Sequence, residues 1–426
     1  MKKNIIALTI AALSATSIAQ AQGPLDVFRS DATKQKLEQN APSLRNHLKQ
    51  RKVALEAWNA LGAKDLKTVT LTANVVAKNR SGARELRVRE FHYLGDCGYS
   101  HGGQDSGVDT PTTAQAVFAS DLADSYLNQA ALLGIDIDSL TIEIHGQPDK
   151  EPTGRVWYPR NFLYTLYIDS PASDAELEKL AVLAEQNSPI ATLVKQAVVP
   201  QLTIDLKPSP RVKKVEGETL AGLREYIHGK RQAFQASREK QEKLKNENKD
   251  KKELKPQAPK HGPWVKVFPN GVRQLTVIDK YLILHDNPEY LGGSNTGMTS
   301  LEGTLGILGT CITHISLGQA AELNLDVDSV SLTVQAEWNP VAGRKGHEKE
   351  SIALQNVRYT LHALTPESED KVKEWLNRVE KICPMYNLFK DTQTFEHKIV
   401  RGSFKKKKKK KPPTPQGGVF YTFSRY

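Results

Sequence analysis

The chain has 426 residues, 39% of them hydrophobic and 25% charged, with a formal net charge of +11. That composition is globular, and its three cysteines exclude a disulfide-dense scaffold, since they allow one intramolecular disulfide at most and leave one thiol over. Seven of the net positive charges lie in the run Lys405 to Lys411, which leaves +4 for everything else, so the basicity belongs to a tail more than to a surface.

Residues 1–22, MKKNIIALTIAALSATSIAQAQ, join Lys2 and Lys3 to a short apolar core and end in small residues around Gln20. This reads as a secretory signal peptide, too short to span a bilayer, and it predicts a periplasmic or secreted protein with no transmembrane segment in the mature chain. Residues 23–64 read as a helical extension that buries Leu44, Leu48, Leu55 and Trp58.

An internal repeat follows at a shift of 190 residues. DSYLNQAALLGIDIDSLTI from Asp124 recurs as HISLGQAAELNLDVDSVSL from His314, GGQDSG at Gly102 answers GGSNTG at Gly292, and, with the shift altered by one, SGARELRV at Ser81 answers NGVRQLTV at Asn270. The first copy spans 65–206. Alternating residues predict strands over 67–78 and 84–93, then a long helix over 110–133, strands over 139–145 and 158–168, a helix over 173–187 and a strand over 199–206. Residues 207–263 form a charged helical linker. The second copy, 264–403, repeats the order: strands over 264–268 and 272–285, a helix over 300–323, strands over 329–337 and 354–363, a helix over 366–382 and a strand over 394–401. The class is α+β. Residues 404–426, with the lysine run and PPTPQGG, read as a disordered tail suited to solubility or to an anionic surface.

The helix over 300–323 carries Leu301, Leu305, Leu308, Ile312 and Ile315 as one core stripe, with Cys311 on its edge. Gly303, Gly306, Gly309 and Gly318 each cost roughly 1 kcal/mol relative to alanine in a helix, so they predict close approach by another backbone. The first copy's helix, with Ala114, Ala116, Ala119 and Ala123, is the candidate, and packing the two together predicts a pseudo-dimer within one chain, able to exist as a monomer.

The residues GGSNTGMTSLEGTLGILGTC, ending at Cys311, and ICPMYNLF, with Cys383 before Pro384, resemble the OsmC/Ohr superfamily over about 264–401. The resemblance implies two antiparallel α+β copies around paired central helices, and reduction of organic hydroperoxides by a cysteine pair, Cys311 peroxidatic and Cys383 resolving, with an external thiol as reductant. It also implies an arginine held by a glutamate: Arg273 is the candidate by position and Glu302 the corresponding acid. Thr299-Ser300-Leu301-Glu302 equally fits a capping box. In the first copy Asp121 stands opposite Cys311 and Ser188 opposite Cys383, so that copy cannot run dithiol chemistry and reads as degenerate.

Other readings stay open. The two cysteines also fit small core residues or a structural disulfide in a non-enzymatic periplasmic module that binds a hydrophobic small molecule. Cys311 and His314 have C-x-x-H spacing to which Cys383 adds a third ligand, but no fourth suggests itself. Cys97 fits a spare thiol, an intermolecular link or a second resolving cysteine. With no phosphate-binding glycine loop, nucleophile elbow, zinc signature or dinucleotide fingerprint, no cofactor is expected.

Overall fold

The computed structural model of the chain describes residues 42–60, 68–78, 81–97, 103–147, 158–211, 222–247, 262–277, 281–343 and 347–404. The expected signal peptide, the lysine run and most of the tail lie outside the described residues, as do parts of the extension and of the linker. No described helix is long and apolar enough to cross a membrane.

The first half contains α1 (Leu44–Ala60), β1 (Val69–Ala77), β2 (Arg84–Val88), β3 (Phe91–Gly95), α2 (Thr110–Leu133), β4 (Ser139–Gln147), β5 (Arg160–Asp169), α3 (Asp174–Gln186), α4 (Pro189–Lys195) and β6 (Gln201–Pro208). The second half repeats that order with α5 (Gly222–Glu247), β7 (Trp264–Val267), β8 (Arg273–Val277), β9 (Tyr281–His285), α6 (Ser300–Glu322), β10 (Ser329–Trp338), β11 (Gln355–Thr365), α7 (Glu369–Ile382), α8 (Pro384–Lys390) and β12 (Phe395–Arg401). The α+β class is as expected.

Neither half owns a sheet. One sheet runs β3-β2-β1-β10-β11-β6 and the other β9-β8-β7-β4-β5-β12, so the second order is the first with each strand replaced by its counterpart. Antiparallel pairs β1–β10 and β4–β7 join the halves in the middle of each sheet. Parallel pairs β11–β6 and β5–β12 join them again at one edge. The central helices α2 and α6 lie together between the sheets, apolar or small nearly all round, as helices buried on every side must be.

Three expectations are corrected. The strands expected over 84–93 and 272–285 are each two antiparallel strands; Arg89, at φ 49°, turns the chain between β2 and β3, a tight turn that an alternating pattern runs straight through. Of the α6 glycines only Gly303 faces the other central helix, with Val117 Cγ1 3.4 Å from where its Cβ would lie, whereas Gly306 and Gly309 meet the first sheet. A Cβ at Gly306 would lie 2.3 Å from Leu86 Cδ2, and one at Gly309 would lie 2.8 Å from Val75 Cγ2 and 2.9 Å from Val334 Cγ2. Those strand side chains fill the grooves that the missing Cβ atoms leave, which compensates the helix for its glycines.

The extension and the linker helix, thirdly, are equivalent parts of the two halves. Arg45 of α1 bonds Asp138 and Arg224 of α5 bonds Asp328, its counterpart. His47 covers Gly271 as Tyr226 covers Gly82. Each half therefore begins with a helix laid on a central helix, α1 on α2 and α5 on α6.

The glycines of α6 make a paired prediction. Gly309→Ala, wedged between two stiff valines, is expected to destabilise by about 1–3 kcal/mol despite its better helix propensity. Gly318→Ala, whose nearest neighbour is Lys230 Cε at 3.8 Å, is expected to stabilise by about 0.5–1 kcal/mol. Urea denaturation midpoints of the two variants check both signs.

Candidate functional site

Cys311 sits near the middle of α6 and Cys383 at the junction of α7 and α8, where it caps the C-terminus of one helix and the N-terminus of the next. Pro384 at the first position of α8 needs no backbone donor there, and Cys383, at φ −69° and ψ 117°, is extended as the residue before a proline prefers. The chain turn places the Cys383 sulfur against α6, beside the sulfur of Cys311. Both are free thiols, Cys311 at 3% exposure and Cys383 at 0%.

Burial pushes the Cys383 thiol well up, and the Cys311 sulfur raises it further; the backbone amides of Tyr386 and Met385 pull the other way and are outweighed. Cys383 is thus held protonated beside the Cys311 sulfur.

The equivalent place in the first half holds the same geometry in other chemistry. Asp121 of α2 accepts from Ser188 Oγ at 2.6 Å and from the Ile190 amide at 3.1 Å, at the start of α4, and from Ser300 Oγ of α6 at 2.9 Å. Burial pushes the Asp121 carboxyl up to about 6 against the pull of those donors. A cavity of about 1210 Å³ opens on this side of the molecule, with Asp121 in its lining.

The structure separates the other two expected site residues. Arg273 is fully buried and faces α2: it donates to Ser120 Oγ (3.1 Å), Asp124 Oδ1 (2.7 Å) and Asn287 Oδ1 (3.0 Å). Arg51 of α1 adds a second ion pair to Asp124 at 2.8 Å. Glu302 forms the capping box with Thr299 and also receives Arg89 through two bonds, at 2.7 and 2.9 Å. Arg273 and Glu302 therefore do not pair with each other. The arginine that holds Glu302 is Arg89, from the β2–β3 turn of the other half, which the sequence reading missed. A basic residue in a tight turn was the signal, but only the exchange of strands brings that turn to the start of α6.

Cys97 lies beside His314, with Sγ 3.8 Å from Nδ1, one helical turn beyond Cys311. The C-x-x-H pair of α6 thus points at two different thiols, and among the described residues no group of three or more His, Cys, Asp and Glu side chains is set to hold a metal. The glycine loops before the central helices carry no open anion cradle. Asp96 takes the amides of Gln104 and Ser106, and Asp286 those of Ser294 and Thr296.

Burial pushes Asp124 up, but Arg51, Arg273 and Asn287 outweigh it and hold the carboxyl well below the usual range. Asp124→Asn, which strands two buried guanidinium groups, is expected to cost about 3–5 kcal/mol in chemical denaturation. Burial, with the neighbouring arginines, lowers His47 from 6.5 to about 4 and His285 to about 3. Between pH 6.5 and 4 the unfolded chain protonates both while the folded protein protonates neither, so stability is expected to fall as the pH falls through that window. Asp121 gains its proton earlier in the folded state and offsets part of the loss below pH 6. The difference in melting temperature between pH 7 and pH 5 should shrink in His47→Gln.

Residues 293–398 match the family model described as OsmC-like protein. Among solved structures, the crystal structure of an OsmC-like protein from Mycoplasma pneumoniae is similar at 18% identity and a TM-score of 0.26, covering 30% of this chain and 86% of that one. A search of curated proteins finds no match. The family-model match includes the whole of α6, Cys311, the α7–α8 junction and Cys383, so residues 293–398 are an OsmC-like domain of this chain.

Proposed function

We propose that this protein reduces organic hydroperoxides through Cys311 and Cys383, with an external thiol as the source of electrons. The observation that carries the reading is the placing of two free, buried thiols side by side, one at a helix centre and one at a helix junction, inside the OsmC-like domain. Cys311, as thiolate, attacks the terminal oxygen of ROOH; the O–O bond breaks, ROH leaves with a proton, and Cys311 becomes a sulfenic acid. The sulfur of Cys383 then attacks Cys311, its S–H proton leaves with the hydroxyl as water, and a disulfide forms. Two external thiols return both cysteines to the reduced state and leave as their own disulfide.

Glu302 and Arg89 pair at the start of α6, two to three turns before Cys311, where they fix the helix rather than touch the sulfur. Arg273 secures the opposite central helix. We assign both Glu302 and Arg273 positioning roles. Residues 1–22 support export, and the reductant would then be a thiol of the periplasm or medium.

Burial of both thiols supports a second reading, in which a Cys311–Cys383 disulfide staples α6 to α8 in a binding module. The two separate cleanly. Under the enzymatic reading, Cys383→Ser exposed to one equivalent of cumene hydroperoxide gains a dimedone-reactive sulfenic acid on Cys311 and loses turnover, and Cys311→Ser turns over no faster than free thiol. Under the staple reading neither variant differs from the parent in peroxide consumption, and oxidation of the parent raises its melting temperature instead. Equal peroxide consumption by parent and Cys311→Ser defeats the enzymatic reading.

A further inference from the structure

The cavity of about 1210 Å³ has no part in the thiol chemistry: it lies over Asp121, the residue that stands where the second half has Cys311. It is large enough for a small organic ligand. Its walls include Leu55 of α1, Leu132 of α2, Leu301 of α6 and Trp338 of β10, so four elements from both halves supply an apolar lining.

The polar lining is unbalanced in charge. Asp124 is neutralised by Arg51 and Arg273, and Glu302 by Arg89. Asp121 enters no ion pair among the described residues: Arg273 acts on it through space but is bonded to Asp124, and the hydrogen-bond partners of Asp121 are two hydroxyls and one amide. Its Oδ1 accepts from Ser300 alone, which leaves a lone pair on an oxygen of a cavity-lining residue that is 3% exposed. Glu289 also lines the cavity and enters no ion pair among the described residues. A carboxylate that is buried and lacks a counter-charge is costly to keep ionised, and a bound cation relieves that cost. Replacement of a thiol by a carboxylate at one of two equivalent places turns a redox position into a cation position.

We propose that this cavity binds a primary amine with an apolar body, the ammonium held by Asp121 and the body laid against Leu55, Leu132, Leu301 and Trp338. Selectivity against alcohols comes from the charge, and against fatty acids from repulsion by the uncompensated carboxylates.

The test is isothermal titration of the full-length protein with n-decylamine, n-decanol and decanoate below their aggregation concentrations. Saturable decylamine binding is expected, at least tenfold tighter than decanol, with no measurable decanoate binding. Asp121→Asn is expected to weaken decylamine at least tenfold and to leave decanol within about twofold. Should that variant fail to fold, Leu132→Trp, at the half-exposed rim and remote from the carboxylate, is expected to weaken amine and alcohol alike. Equal affinity for amine and alcohol overturns the proposal, as do tighter decanoate binding, a folded Asp121→Asn with unchanged decylamine affinity, and no saturable amine binding. None of these outcomes depends on the peroxide chemistry of Cys311.

Discussion

Antiparallel pairing of β1 with β10 and of β4 with β7 is the constraint on which the rest of the molecule depends. Each pair is a backbone ladder between strands far apart in sequence, formed only when the halves close on each other. Once formed, it fixes which helix lies on which sheet: α6 against the sheet of β1, β2 and β10, and α2 against that of β4, β7 and β8. Gly306 and Gly309 of α6 are then explained by the valines and leucine of strands mostly borrowed from the other half. The Arg89–Glu302 and Arg273–Asp124 ion pairs likewise cross between halves. A substitution that loosens the ladder disturbs both central helices together.

Within that frame the two equivalent positions show how one geometry serves two kinds of polar contact. A helix-centre residue meets the residue that caps a short helix beginning with proline, Cys311 with Cys383 and Asp121 with Ser188. In the second half the neighbours are two weakly polar thiols that tolerate burial and need no further donors. In the first half a carboxylate is buried, and it is supported by three donors, one of them from the opposite half. The thiol pair is closed to solvent, whereas the acid borders the large cavity.

Much of this was legible in the sequence because it is local. Alternation marked most strands, apolar spacing marked α2 and α6, TSLE marked the capping box, and the repeat set Asp121 opposite Cys311 at a shift of 190 and Ser188 opposite Cys383 at a slightly longer one. What was not legible is long-range pairing. No local pattern says that β1 belongs beside β10, so the partner of the α6 glycines and the origin of the arginine at Glu302 were out of reach. The kinship of α1 and α5 was hidden for another reason: LRNHL and LREYI share only a leucine, an arginine and an apolar fifth position, and the matching contacts are made with other elements.

The joining of both halves in a single polypeptide has an evolutionary consequence. When a pseudo-symmetric assembly is made from two identical chains, any substitution is installed twice, and a change that suits one site must be survivable at the other. Here each site is encoded separately, so Asp121 in one half stands beside an unaltered Cys311 in the other. Covalent linkage frees the molecule from symmetry while the shared sheets keep its architecture symmetric, and one scaffold can hold two occupations.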